Sequence, residues 1–300
     1  MKDKQQIWYI HFFENLLLLI KMLVGGKYMM LPVLFISGQS LAETYEKALL
    51  ALYHKGIDLP TDYDRIGDLK SKDCTMLMVI EKPLSEPMIH RCFPGGLHDL
   101  EEYRQEVLDG IKDDFVRNPN DPTDHRWLYT YHQRLKKQTP MVLEELVRNP
   151  FSRRANMTTW HADDDIYSED PPCLQRIWFR CTELDGIKYL NCNVSMRSND
   201  AFKASFMNMF AFIMLQKRMA EQLSQKLMEE IRIGQYTHMA DSFHIYGSDL
   251  LQFEKLFLLS VNNRTFEQRT YTIEFCQPFF DEAKGPIKEK IERMKNSSSF

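Results

Sequence analysis

No Cys-x-x-Cys pair occurs in this sequence, and that absence removes whole classes of answer. The six cysteines, Cys74, Cys92, Cys173, Cys181, Cys192 and Cys276, stand singly, which fits neither a zinc site nor a small disulfide scaffold. Free cysteines in this pattern suit a reducing cytoplasm, where most are small buried hydrophobes. A basic surplus is missing too. With 38 Lys and Arg against 42 Asp and Glu, the formal net charge is -4, so coating nucleic acid is not the main business of the chain and no obligatory nucleic-acid partner is expected. An anionic ligand must then be caught by a few placed arginines. Nor is there an apolar run able to span a bilayer: Leu16 to Val24 is short and broken by Lys21, no secretory cleavage pattern follows, and no membrane partner is expected. What is present is core material. At 44% hydrophobic and 12% aromatic over 300 residues, the chain can bury a large interior, and without an internal repeat or a long linker one mixed α/β domain is the economical reading.

The first 28 residues stand apart. Gly25, Gly26, Lys27 and Tyr28 can be encoded by a purine-rich stretch directly before the codons of Met29 and Met30, in the form and spacing of a prokaryotic ribosome-binding site. We expect translation to start at Met29 or Met30, residues 1–28 to be leader read as protein, and 29–300 to form the domain. A natural product whose mass places its N-terminus at Met1 would contradict this.

Past that point, "MLPVLFISG" reads as a strand, and Ser40 caps a helix that Gly56 stops. "CTMLMVIEKP" reads as a strand and "LHDLEEYRQEVLDGIKDDF" as a helix. A turn-rich loop, "VRNPNDPTDHRW", leads to a short helix ended by Pro150. "ANMTTWHA" is a predicted strand, "DDDIYSEDPP" an exposed acidic loop, and "CLQRIWFRCTE" and "KYLNCNVSMRS" are two strands joined by "LDGI". A long Met- and Phe-rich helix is expected over residues 203–231 with Gly234 as its stop. Strands "SFHIYGS" and "RTYTIEF" then flank a helix, and a charged helix closes the chain.

Taken singly, an Arg-Arg pair is usually a solvated charge and a Cys after two prolines usually opens a strand. Four segments together say more: "NPFSRRANMTTW", "PPC", "MRSND" with Asn208 eleven residues beyond Arg197, and "GQYTHMADSFHIY". In order and spacing they resemble thymidylate synthases and their relatives, the phage pyrimidine-nucleotide hydroxymethylases, with archaeal-type synthases and the phage hydroxymethylases most similar. The resemblance runs from about Asn149 to Tyr246, and fainter similarity reaches back to Met30.

That resemblance implies a mixed β-sheet covered by helices, an α/β (α+β) fold whose sheets stack in a homodimer. It also implies an enzyme that methylates dUMP, with 5,10-methylenetetrahydrofolate or another reduced pterin as cosubstrate. The chemistry accounts for the residue types. Carbon 5 of uracil is a poor nucleophile until a thiolate adds at carbon 6, and Cys173 is the candidate. Arg197 and Ser198 would hold the 5′-phosphate, with Arg153 and Arg154 reaching in from the other subunit, and the same charges would favour the thiolate. Asn208 falls where the family reads the base; cytosine-specific relatives are expected to carry Asp, so Asn points to dUMP. His244 and Tyr246 match the pair that bonds the deoxyribose 3′-hydroxyl, while Asp200 and His238 lie in the same motifs.

In the N-terminal third, "HDLEEYRQEVLDG" offers Asp99, Glu101, Glu102 and Glu106 for the family's helix-borne glutamate, and Glu102 is assigned the role. "DRIG" resembles the family's phosphate loop and makes Arg65 a phosphate ligand, and "YTYHQRL" offers Tyr129 or Tyr131 near the nucleophile. Two departures bear on folate. The chain ends "IERMKNSSSF" where the family has a hydrophobic closing peptide, and "ASFMN" replaces the usual Gly-x-Pro-Phe-Asn. The rival readings are a dUMP hydroxymethylase, in which water ends the reaction, and an inactive homologue that binds nucleotide or RNA.

Overall fold

The computed structural model describes residues 30–117 and 126–297. The expected leader, most of the turn-rich loop (118–125) and the last three residues lie outside the described residues. Strand β1 (Val33–Gly38) and helix α1 (Leu41–Lys55) form where the sequence places them. The Ser40 hydroxyl accepts from the Glu43 amide at 3.3 Å, satisfying one of the free donors at the helix start. Strand β2 (Ile57–Leu59), β3 (Ser71–Ile80) and β4 (Ile89–His90) precede helix α2 (Leu97–Asp109). Gly110 ends α2 with φ 66°, and a Cβ there would meet the His132 ring at 2.1 Å. Short helices α3 (Tyr131–Leu135) and α4 (Gln138–Arg148) lead to β5 (Asn156–Thr158), β6 (Leu174–Leu184) and β7 (Ile187–Asp200).

Helix α5 (Ser205–Leu227) then crosses to β8 (Ile231–Ile245), so β7 and β8 run parallel. The sheet order is β1-β3-β8-β7-β6-β5 with β2 beside β3. Over its first three turns helix α5 is apolar nearly all round and buries Phe206, Met209, Phe210, Phe212 and Ile213, as a central helix must. Together with α1 it covers one face of the sheet. The opposite face is left partly open: Leu77, Val79, Met239 and Trp178 are half-buried, and Val33 and Phe35 at the β1 edge are exposed. Helices α6 (Leu250–Phe253) and α7 (Leu259–Asn263), joined by a π-turn, strand β9 (Thr270–Tyr271) and the long α8 (Ile273–Ser297) complete the chain. Among the described residues no helix is long and apolar enough to cross a membrane.

Three expectations are corrected. The central helix stops at Met228, which takes φ 52° itself, and Gly234 lies inside β8. It is small there for another reason: a Cβ would sit 2.5 Å from Asn191 Oδ1, at a point where the β7–β8 register shifts. "RTYTIEF" gives only the two-residue β9 before α8 begins, because Ile273, Cys276 and Phe280 recur at helical spacing and pack on the core. The acidic loop is not wholly exposed. Asp165 is buried, accepts from the His161 amide at 2.6 Å and pairs with Arg134 at 2.9 Å.

Candidate active site

Strand β6 opens straight after Pro171, Pro172 and Cys173, and the neighbouring β7 brings Arg197 level with the cysteine. The Arg197 amide donates to the Cys173 carbonyl at 2.9 Å. Its guanidinium then clamps the bend, Nε donating to Pro172 O at 3.1 Å and Nη2 to Pro171 O at 2.6 Å, while Nη2 also lies 3.9 Å from Cys173 Sγ. One arginine thus shapes the loop that presents the thiol and puts positive charge beside it. Burial still dominates. It pushes the Cys173 thiol above its usual range, with Arg197 pulling back and Asp170 adding to the rise. Arg197, the part of the expected arginine cluster that this chain itself places beside the thiol, is outweighed by burial.

Cys173 opens onto a cleft of about 410 Å³ whose walls include Tyr129, Tyr131, Ser198, Asp200, Asn208, His244 and Tyr246. These sequence candidates, drawn from five separate segments, meet at one place. Asn208 sits on the first turn of α5, buried, and its Oδ1 accepts from the Tyr103 hydroxyl at 2.5 Å. Its Nδ2 has only a long contact to Met196 Sδ at 3.9 Å, so the amide offers a donor to the cleft. The Tyr131 hydroxyl accepts from the Leu174 amide at 3.2 Å and props the strand that follows the cysteine. Burial raises the Tyr129 and Tyr131 phenols well above their ordinary value, and both stay protonated.

Asp200 turns β7 into α5: its Oδ1 accepts from the Phe202 and Lys203 amides at 3.0 and 2.8 Å. Burial pushes its carboxyl up to about 6 despite those bonds, with Asp249 adding to the rise. His238 does not line the cleft. It is buried under the sheet between the Tyr236 hydroxyl and Asn199 Oδ1, each at 2.9 Å, and burial pulls it down to about 3, so it is neutral. His244 is buried at the cleft wall, Nδ1 lies 3.1 Å from Ser242 Oγ, and Nε2 has no partner.

Four candidates fall elsewhere. Glu102 does not line the cleft; both of its carboxylate oxygens take Lys290 of α8, at 2.8 and 2.9 Å, and Lys112 adds a bond at 2.9 Å. Burial alone would raise that carboxyl, but the two ammonium groups outweigh it and hold it low. Glu106, one turn on, reaches the cleft wall instead. Arg65 is exposed in a turn closed by Asp68, two residues from Tyr63, whose ring meets Tyr246 at 5.7 Å. Arg153 and Arg154 are exposed and do not line this chain's own cleft.

Tyr103 and Asn199 carried no role in the sequence reading, and Glu106 was offered there but passed over for Glu102. Five acidic residues share that helix, and nothing local tells which faces Lys290 and which the cleft. Trp127, Leu128 and Met207 line the cleft beside the tyrosines and give it an apolar and aromatic wall.

A family model described as thymidylate synthase matches residues 108–278. The chain is 28% identical over 118 residues to the thymidylate synthase of Streptococcus sanguinis, a stretch covering 38% of this chain and 39% of that protein. It thus spans about two fifths of the length of the streptococcal relative. With a Methanothermobacter thermautotrophicus protein, provisionally named a thymidylate synthase, it shares 25% identity over 235 residues, 72% of this chain and 95% of that one. Thermostable thymidylate synthase A from Bacillus subtilis has a similar fold, with a TM-score of 0.50 at 17% identity, over 72% of this chain and 83% of that structure.

Proposed function

The chain belongs to the thymidylate synthase family, and from that premise we propose that it methylates dUMP to dTMP, with Cys173 as the nucleophile. The observation that carries this reading is the convergence of Cys173, Asn208, His244 and Tyr246 on one cleft. Cys173 adds through sulfur to carbon 6 of the ring, which makes carbon 5 nucleophilic, and leaves again when the product forms. Trp127 and Met207 would hold 5,10-methylenetetrahydrofolate, which would supply the one-carbon unit and then a hydride. Asn208 donates from Nδ2 to the O4 carbonyl of uracil; the amino group of cytosine would set donor against donor there. Glu106 and Tyr129, which line the same cleft as Cys173, would move the carbon 5 proton.

The phosphate is held by Arg197 and Ser198, completed by Arg153 and Arg154 of a second copy whose sheet covers the half-open face. In the assembled dimer those guanidinium groups would also lower the Cys173 pKa that burial raises in one chain. Residues 29–300 form the catalytic unit, and the setting is cytoplasmic. Product analysis tests the reading. Formation of dTMP with dihydrofolate, followed by ultraviolet absorbance, is expected; 5-hydroxymethyl-dUMP without dihydrofolate would instead make the chain a hydroxymethylase, and binding without turnover an inactive homologue.

A further inference from the structure

Behind His244 lies a half-buried chain of polar groups that the reaction itself does not require. Strand β3 pairs with β8 so that Asp73 faces His244 in register. Between their side chains sits Ser242, whose Oγ donates to Asp73 Oδ2 at 2.8 Å and lies 3.1 Å from His244 Nδ1. At the far end His244 Nε2 is buried and unpartnered on the cleft wall, the residue being only 5% exposed. At the near end Asp73 Oδ1 is also buried without a partner. Buried polar atoms are nearly always satisfied, so the orphan Nε2 of His244 on the cleft wall marks a site whose bonding is incomplete without a ligand.

The proton count fixes the polarity. A serine hydroxyl has one hydrogen, and the Asp73 carboxylate accepts it. Ser242 Oγ can then only accept from His244, which puts the imidazole proton on Nδ1 and leaves a lone pair on Nε2. Tyr246 lines the same corner with its ring 4.6 Å from that of His244, and burial, helped by the nearby Asp200, holds its phenol up at about 12, so it keeps its proton and donates. An acceptor beside a donor matches a group that is both, and a hydroxyl is such a group; a phosphate or carbonyl oxygen is not.

We propose that Asp73, acting through Ser242, is a positioning residue that sets the His244 tautomer, so that Nε2 and Tyr246 together select a ligand hydroxyl that donates to one and accepts from the other. This rests on the dUMP reading only for the name of the group, the deoxyribose 3′-hydroxyl. The tautomer itself does not depend on it.

Two measurements on the full chain separate these. Nitrogen-15 NMR of the histidine rings, with His244 assigned by its loss in His244→Gln, is expected to show Nδ1 protonated and Nε2 bare without any nucleotide. In Ser242→Ala and Asp73→Val the proton should move towards Nε2. A proton on Nε2 in the unsubstituted chain overturns the proposal even if neither variant folds, and so does an unchanged tautomer in variants that do. Calorimetry with dUMP and its 3′-deoxy-3′-fluoro analogue supplies the second test. The acceptor-only analogue should bind at least about tenfold more weakly, a gap that Ser242→Ala narrows to about threefold. Equal binding of the two by the unsubstituted chain overturns the proposal. If dUMP itself does not bind, the substrate reading fails and the tautomer alone decides the role of Asp73.

Discussion

At the scale of single residues, two carboxylates on α2 separate stability from chemistry. Glu102 is buried on Lys290 and Lys112, so Glu102→Gln leaves ammonium groups short of a partner and should cost about 2–4 kcal/mol in denaturant unfolding. Its effect on turnover at a temperature where the variant is folded should be small. Glu106→Gln should do the reverse, lowering kcat by about 100-fold or more at a smaller cost in Tm, because Lys112, which pairs with Glu106 at 2.8 Å, keeps Glu102 as a partner. If Glu102→Gln kills turnover and Glu106→Gln does not, the glutamate assigned from sequence was right and the cleft geometry misleads. The cysteines give a second contrast. Burial raises both thiols, but at Cys92 hydrogen bonding to His90 and the charge of Arg264 outweigh it and hold the thiol low, whereas Cys173 stays high. Alkylation of the free chain at low reagent should label Cys92 before Cys173, read by peptide mass; the opposite order would mean that charge from a second subunit already activates Cys173.

At the scale of elements, the β7–α5–β8 unit carries most of the site, and its stability depends on pH through two buried groups with opposite signs. His238 titrates near 3 in the fold against a usual 6.5, so acid protonates the unfolded chain first and stability drains as pH falls through that window. Asp200 titrates near 6 against a usual 3.8, so the fold gains a proton first and stability rises over the same descent. His238→Gln should therefore lose less of its unfolding midpoint than the unsubstituted chain between about pH 7 and about pH 5; an equal loss would show that His238 is not the group responsible.

The same unit shows what sequence could deliver. Strands with alternating burial, Ser40 at a helix start, and the "PPC" and "MRSND" segments are local signals, and they were legible. The end of α5 was not, because Met228 adopts a glycine-like conformation while Gly234 answers to Asn191 on another strand. Tyr103 on Asn208, and Lys290 on Glu102, depend on helices that only packing brings together. Asp73 is a lone acid in an apolar strand, and its meaning appears only when β3 lies beside β8.

At the scale of the whole molecule, the half-open sheet face and the outlying Arg153 and Arg154 make one joint prediction. Leu77→Lys or Met239→Lys, on that face, should turn a dimer into a monomer in sedimentation velocity and abolish turnover, though Cys173 is untouched. Mixing Cys173→Ser subunits with subunits carrying Arg153→Ala and Arg154→Ala should restore activity that neither has alone, since the mixed dimer rebuilds one intact site. No recovery after verified subunit exchange would place those arginines outside the site.

The claim on which everything else depends is that Cys173 attacks a uracil nucleotide in this cleft. Incubation with 5-fluoro-dUMP and 5,10-methylenetetrahydrofolate, followed by denaturing peptide mass spectrometry, tests it directly, because fluorine at carbon 5 cannot leave as a proton and the covalent adduct persists. The account predicts a stable adduct on the peptide carrying Cys173 that Cys173→Ser removes. No adduct in a folded, dUMP-binding protein, or an adduct on Cys92, would contradict it.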